Sequence, residues 1–295
     1  MKTGFTLIEI MVSLAILAGL ITVLAFIYGN LVDMSVSERR KAEANTDINL
    51  CLTLLEKDIM MAGFATPNTT KVASLNGTSS DRLFLADGWE IMRDFTDNGC
   101  DDGIISNDFY GVISSVSEGG GGYSASLVQY AATETSVIVV NNLNIDGVGS
   151  IADDDFKQNS SLIIYSGQGP PEGYRIISVV STASAISLQE GLCRNYSVGS
   201  SVVPALCYYI ASFEDRNWLF RNDARVLPDV EDFQVQYGYD DDANGILMDN
   251  EWVNSLPNPY TPTMLMAIRA NLGIISPETK VQKIGTYTVS VELRN

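Results

Sequence analysis

Five acidic residues lie between positions 240 and 251, in a segment whose side chains are suited to holding a cation. The segment reads Asp240-Asp241-Asp242-Ala243-Asn244-Gly245-Ile246-Leu247-Met248-Asp249-Asn250-Glu251. Oxygen-bearing side chains recur at its first, third, fifth and twelfth positions, and a glycine occupies its sixth. Carboxylates this close repel one another unless a cation lies between them. Calcium takes six to eight oxygen ligands, so the segment predicts one calcium site.

The spacing matches the pattern of calcium loops of the EF-hand type without a mismatch. The ligands that this pattern implies are Asp240, Asp242, Asn244, the backbone carbonyl of Ile246, and Glu251. The residues before the loop, Asp232–Tyr239, predict a strand, so a complete EF-hand with flanking helices is not expected. The alternative is an ordinary acidic surface turn, because Asp, Asn and Gly are common turn residues.

The composition limits the classes of function that remain. The chain has 295 residues, of which 46% are hydrophobic and 18% charged, so a folded protein is expected. Asp and Glu number 36 against 18 Lys and Arg, and a net charge of −18 does not suit a nucleic-acid partner. There is no histidine and no nucleophile motif, so we do not expect an enzyme, although paired carboxylates leave a glycosidase open on composition alone.

A second carboxylate with unusual surroundings is Glu9. It interrupts an apolar run from Phe5 to Ile27 that is long enough, as a helix, to span a hydrocarbon core of about 30 Å. An ionisable group in such a span costs roughly 2.5–3.5 kcal/mol on insertion scales and usually has a function. Gly4 precedes the apolar run, whereas an ordinary secretory signal has its small residue after it.

The residues Gly4-Phe5-Thr6-Leu7-Ile8-Glu9 resemble the processing motif of type IV prepilins and type II secretion pseudopilins. The resemblance implies that residues 1–4 are a leader peptide, removed by a prepilin peptidase that cleaves between Gly4 and Phe5 and leaves Phe5 methylated. It also implies that the apolar run remains as filament core. Glu9 lies one helical turn beyond Phe5, so its carboxylate can pair with the Phe5 ammonium of a neighbouring subunit. A plain single-pass anchor is the alternative.

The Phe5 amine and the Glu9 carboxylate are predicted to lie on one helix over residues 5–62, of which residues 5–27 are in the membrane. An apolar stripe at helical spacing predicts that its second half packs on a globular domain; the stripe is Ile48, Leu52, Leu55 and Ile59. Gly63 and Pro67 then predict the helix end. Residues 63–295 are predicted to form an extracytoplasmic β-rich globular domain.

That domain alternates short β-rich runs with polar loops. Predicted strands are Arg82–Ala86, Ser136–Asn141, Ser161–Ser166, Tyr174–Val180, Ala185–Leu188, Tyr208–Ser212, Trp218–Arg221, Asp232–Tyr239 and Thr286–Leu293. Met264–Leu272 fits a strand or a helix, and Gly119–Gly122 predicts a flexible loop. The expected fold is α+β, with the long helix packed on a mainly antiparallel sheet or sandwich in the manner of pilins.

Four cysteines belong to this chain: Cys51, Cys100, Cys193 and Cys207. Cys193 and Cys207 flank a short polar loop, and disulfides persist outside the cytoplasm, so a bond between these two is predicted. Whether Cys51 pairs with Cys100 is left open.

Three further segments resemble PilW-type minor pilins: Met61–Phe64, Ser80–Leu83 and Val230–Asp240. The resemblance implies a minor pilin that helps to initiate assembly of a type IV pilus, with a place in a tip complex. It implies as partners major and minor pilins through the N-terminal helix, the prepilin peptidase and a tip adhesin. The chain would begin as a single-pass inner-membrane protein with a periplasmic domain and end in an extracellular pilus. The alternatives are a pseudopilin of a type II secretion system and a membrane-anchored calcium-dependent adhesin that does not polymerise.

Overall fold

The computed structural model describes residues 7–63, 66–75, 80–86, 124–143, 145, 155–167, 169–275 and 283–293. The chain forms two compact units, Met1–Cys51 and Leu52–Asn295. One long apolar helix and antiparallel sheets make up the described residues, which confirms the α+β class. Gly4, Phe5, Cys100 and the predicted loop Gly119–Gly122 lie outside the described residues.

The first unit consists of the greater part of helix α1, which runs from Leu7 to Met61. The most apolar 18-residue window of this helix has a mean hydropathy of 2.8 and is 0% buried. By length and composition the helix can cross a membrane, which fits the predicted single-pass anchor. Large apolar side chains such as Leu7 and Phe26 are 78% and 70% exposed, so this surface needs lipid or other helices around it.

The end of α1 belongs to the second unit and matches the predicted end within one residue. Leu55 and Ile59 of the predicted apolar stripe are fully buried. Gly63 follows the helix with φ of 81°, in the left-handed region that glycine tolerates best. A Cβ at Gly63 would lie 2.3 Å from Cγ of Lys71, so the close approach also requires glycine here.

In the described part of the second unit, the larger sheet has ten antiparallel strands. These are β1 (Val72–Leu75), β2 (Arg82–Ala86), β3 (Ala125–Ser126), β4 (Val137–Val139), β5 (Ser161–Tyr165), β6 (Glu172–Val180), β7 (Ala185–Leu188), β8 (Ser201–Phe213), β9 (Arg216–Arg221) and β10 (Ala224–Pro228). The order is β1-β2-β8-β5-β6-β7-β4, with β3 and β9 also paired to β8 and β10 paired to β9. Strand β8 is therefore the centre of the sheet.

A second antiparallel sheet has the order β12-β11-β13-β14. Its strands are β11 (Val230–Tyr239), β12 (Trp252–Val253), β13 (Leu265–Ile275) and β14 (Lys283–Glu292). The described residues also form short 3-10 helices at Asn68–Thr70, Ser181–Ala183, Asp249–Glu251 and Pro262–Met264. The segment that sequence left as strand or helix is thus strand β13.

The two faces of the large sheet have separate cores. One core contains alternate residues of β5, β6 and β7, including Leu162, Tyr174 and Ile186. The other contains Phe84 and Cys207, with Ile163 and Val203 of the neighbouring strands. Strands β5 and β8 thus contribute side chains to both cores, which explains their nearly continuous burial.

The predicted disulfide between Cys193 and Cys207 is wrong, because both thiols are free. Cys207 lies within β8 and is fully buried beside Phe84, whereas Cys193 is exposed in the loop before that strand. The two residues are close in sequence, but β8 begins at Ser201 and takes Cys207 into the sheet interior. Burial raises the pKa of the Cys207 thiol to about 12, so it is protonated at neutral pH.

Asp58 connects the end of α1 to strands β8 and β9. Its carboxylate accepts hydrogen bonds from the Tyr208 hydroxyl at 2.6 Å and from Nε of Arg221 at 2.6 Å. The side chain of Asp58 is 9% exposed and that of Arg221 is 32% exposed. A carboxylate so nearly buried requires these partners, and they fix the helix end against the sheet.

Candidate metal site

The predicted calcium segment is the loop that joins β11 to β12 in the smaller sheet. Strand β11 ends at Tyr239, and the loop closes through the 3-10 helix Asp249–Glu251. The preceding element is a strand, as predicted, so the loop lacks the first helix of an EF-hand. The site is therefore positioned by a sheet.

Three of the five predicted ligands come together. One carboxylate oxygen from each of Asp240, Asp242 and Glu251 lies within 4.8 Å of the other two. Asp240 and Glu251 are each 5% exposed, whereas Asp242 is exposed. Two nearly buried carboxylates and one at the surface leave a cation a route from solvent to the cluster.

Asn244 joins the same loop through hydrogen bonds. Its Nδ2 donates to Asp242 at 2.8 Å, and its Oδ1 accepts the backbone N–H of Ile246 at 2.7 Å. The Asn244 side chain therefore stabilises the turn through these two hydrogen bonds. Ile246, the predicted carbonyl ligand, has a side chain that is 64% exposed, as expected for a residue that contributes only its backbone.

The turn is tight because two of its residues have a left-handed backbone. Gly245 has φ of 79° and Ala243 has φ of 55°. The glycine adopts this region without a steric penalty, as the calcium-loop pattern requires, whereas a residue with a Cβ is disfavoured by about 1–2 kcal/mol. The N–H groups of Asn244 and Gly245 donate hydrogen bonds to the Asp240 carboxylate within this turn.

The hydrogen bonds that Asp240 accepts in this turn also lower the pKa of its carboxyl. Its Oδ2 accepts the N–H of Gly245 at 2.8 Å, and its Oδ1 accepts the N–H of Asn244 at 3.2 Å. Burial alone raises the pKa of this carboxyl, but the hydrogen bonds outweigh burial and leave the pKa below its ordinary value. Asp240 is therefore ionised at neutral pH and can serve as an anionic ligand.

The ends of the loop are tied to the neighbouring chain segments. The N–H of Asp240 donates to the carbonyl of Met264 at 2.9 Å, and the hydroxyl of Tyr239 accepts the N–H of Thr261 at 2.9 Å. At the other end, Glu251 accepts the N–H of Met248. The first and last ligands are thus held in place by the sheet and by the segment before β13.

Sequence reasoning missed the role of Gly238, next to the end of β11. A Cβ at this position would lie 2.4 Å from Cδ2 of Leu247 and 3.3 Å from Cβ of Ala267. The glycine lets Leu247 fold back against the strand and close the loop over the sheet. A glycine within a strand pattern is a known signal for such a close approach.

An oxygen-only cluster of this kind suits a hard cation. Calcium prefers carboxylate and carbonyl oxygens, whereas zinc sites use mainly cysteine and histidine. The chain has no histidine, and its described cysteines are remote from this loop in sequence. The donors present therefore fit calcium better than they fit zinc.

Of the residues implied by the processing motif, the described part of the chain reaches only Glu9. It lies within α1, directly before the helical stretch Ile10–Met61 that is long and apolar enough to cross a membrane.

No protein-family model matches this chain, and no curated protein sequence matches it.

Proposed function

We propose that this protein is a minor pilin of a type IV pilus, which helps to initiate assembly and takes part in a tip complex. The observation that carries the proposal is helix α1, with its fully exposed apolar window directly after the Gly4–Glu9 motif. The end of the same helix is built into the globular unit through Leu55 and Ile59. A chain of this kind suits storage in a membrane followed by transfer into a bundle of like helices.

The exposed helix supplies the physical reason for polymerisation. Its apolar residues are satisfied by lipid before assembly and by the helices of neighbouring pilins afterwards. Glu9 is costly in either setting unless it finds a positive partner, and cleavage before Phe5 creates an ammonium group one turn away. Processing by the prepilin peptidase would therefore precede assembly.

The mass of the native N-terminus tests the processing step. We expect a mature protein that begins at a methylated Phe5, and a Gly4→Leu variant that keeps residues 1–4. A Glu9→Leu variant should be processed but absent from sheared filaments, whereas the control Glu38→Leu, at an exposed helical position, should assemble. A native protein that begins at Met1 would disprove the proposal.

Immunogold labelling of sheared filaments addresses the two alternatives. Label confined to membranes would favour the adhesin that does not polymerise. Label on filaments that co-purify with secretion components, and not with pilus subunits, would favour the pseudopilin.

The loop 240–251 is proposed to bind one calcium ion through Asp240, Asp242 and Glu251, with Asn244 and the Ile246 carbonyl completing the set. The three clustered carboxylates support this assignment. A bound ion would neutralise their repulsion and join the end of β11 to the start of β12.

Isothermal titration with calcium tests this site. We expect one ion per chain and a higher melting temperature with calcium than with EDTA. Asp240→Asn should abolish both effects, while Asp241→Asn, in the same loop but outside the cluster, should retain them. Equal melting temperatures in calcium and EDTA for the unchanged protein would refute the assignment.

A further inference from the structure

The loop 240–251 contains the dipeptide Asn244-Gly245, in which a side-chain amide is followed by an unhindered backbone nitrogen. Such a pair can deamidate: the glycine N attacks the asparagine Cγ, a five-membered succinimide forms, and ammonia leaves. Glycine hinders this attack least because it has no Cβ. Both residues are exposed, and a Cβ placed at Gly245 would have nothing within 4 Å, so the turn has room for the ring.

The nitrogen that would attack already donates its proton to a carboxylate. The N–H of Gly245 bonds to Oδ2 of Asp240 at 2.8 Å. A peptide nitrogen becomes a nucleophile as its proton is removed, and a carboxylate within hydrogen-bond distance of that proton is placed to act as the general base. Asp240 is 5% exposed, and its own N–H bonds to the carbonyl of Met264 at 2.9 Å. The base is therefore held in position by the segment before β13.

The amide of Asn244 is also held by hydrogen bonds that favour the reaction. Its Oδ1 accepts the N–H of Ile246 at 2.7 Å. Because a backbone N–H only donates, this contact identifies the oxygen of the amide. Negative charge develops on this oxygen when Cγ is attacked, and a donor already aimed at it stabilises that charge. The other amide atom, Nδ2, donates to Asp242 at 2.8 Å and is the nitrogen that would leave.

We propose that Asn244 is a self-modification site, at which the folded loop converts its own asparagine to aspartate and isoaspartate. Asp240 takes the proton of the Gly245 nitrogen while the bond from that nitrogen to Cγ of Asn244 forms. The Cγ–Nδ2 bond then breaks, and Nδ2 takes a proton from solvent and departs as ammonia. Water opens the succinimide at Cγ to give aspartate, or at the main-chain carbonyl to give isoaspartate.

The modification changes both the charge and the shape of the loop. A neutral amide that contacts Asp242 becomes a carboxylate, so the cluster of three carboxylates gains a neighbour of the same sign. Isoaspartate also lengthens the main chain by one carbon, in a turn that is tight because Ala243 and Gly245 have left-handed backbones. Modified and unmodified chains therefore differ at one defined position.

The rate of deamidation in the folded chain, compared with the rate in urea, tests this proposal. The full chain is incubated in detergent with EDTA, with or without urea, and mass spectra of its proteolytic peptides give the modified fraction at Asn244. We expect the folded chain to react about tenfold faster than the unfolded chain, or more, because a placed general base has at least this effect. A folded chain that reacts no faster than the unfolded chain would overturn the proposal.

An Asp240→Asn variant removes the base and keeps the size of the side chain. Its rate at Asn244 in the folded state should fall to the rate in urea or below, with fragment spectra locating each modified residue. The control Asp241→Ala, at an exposed position outside the carboxylate cluster, should react as the unchanged chain does. A folded Asp240→Asn variant with the unchanged rate also overturns the proposal.

The comparison with urea uses the unchanged chain, so it decides the proposal even where Asp240→Asn does not fold. EDTA keeps cations away from the loop, and the detergent solution contains no other pilin. The outcome is therefore independent of the proposed calcium site and of the proposed role in a pilus.

Discussion

At the scale of single residues, Asp58 is expected to stabilise the fold through its two hydrogen-bond partners. Replacing it with alanine would remove the acceptor of both the Tyr208 hydroxyl and the Arg221 guanidinium. Removing one partner of a fully buried pair costs about 3–5 kcal/mol, and Arg221 is a third exposed, so we expect about 2 kcal/mol. Urea unfolding measures the loss, with exposed Glu56→Ala on the same helix as the control. An Asp58→Ala variant as stable as that control would contradict this role.

The buried thiol of Cys207 predicts a loss of stability at alkaline pH. Its pKa rises from 9.0 in the unfolded chain to about 12 in the fold, so both states are protonated below pH 9. Above pH 9 the unfolded chain releases its proton first, and stability falls by up to about 1.4 kcal/mol per pH unit. Cys207→Ala should flatten this decline in urea titrations between pH 9 and 10.5. The exposed Cys193→Ala should not, and an identical slope for both variants would disprove the assignment.

At the scale of elements, Asp81 joins the two sheets just before β2. Its N–H donates to the carbonyl of Phe233 at 2.8 Å, and its carboxylate accepts the N–H of Val235 at 2.8 Å. Asp81 is 3% exposed, so its alanine variant leaves a buried N–H of β11 without this acceptor, at a cost of about 1–3 kcal/mol. Hydrogen exchange of the full chain should quicken at Val235 and its neighbours in β11. Strand β4, at the far edge of the large sheet, is the internal control, and uniform quickening in both strands would contradict a local role.

The sequence predicted strands correctly where buried and solvent-facing residues alternate along the chain. Strands β7 and β11 have a buried residue at nearly every second position, and their bounds were predicted closely. The prediction for strand β8 was too short. Val202 to Tyr208 are all buried, so this part of the strand shows no alternation, and Pro204 is a residue that seldom lies inside a strand. Strands β3 and β12 were missed because they have two residues each, too few to show a period; β1 and β10 were missed as well.

The cluster of Asp240, Asp242 and Glu251 was predictable because its residues are local in sequence, so one loop pattern contains all three. That Cys193 and Cys207 remain free thiols was not predictable, since it depends on which face of β8 receives Cys207. The exposed apolar residues Val137 and Val180 of the large sheet were not foreseen either. They depend on the register between β4, β7 and β6, which a single strand does not encode.

At the scale of the whole molecule, the second unit contains both sheets and both sheet cores. Among the described residues, buried hydrophobic side chains begin at Ile48, and the large apolar residues from Leu7 to Val36 are exposed. We therefore expect a chain lacking residues 1–28 to fold as a soluble protein without its membrane-spanning stretch. Its melting temperature in calcium should lie within a few degrees of that of the full chain in detergent, because no core residue is removed.

A longer truncation is the control for the chain that lacks residues 1–28. Removing residues 1–60 also deletes Leu55, Ile59 and the Asp58 carboxylate, which are buried in the second unit. That chain should lose several kcal/mol from the two large side chains alone and should unfold or aggregate. Thermal unfolding of both truncated chains, followed by circular dichroism, tests this prediction. Cooperative unfolding of both at the same temperature would mean that the end of α1 contributes nothing to the globular unit.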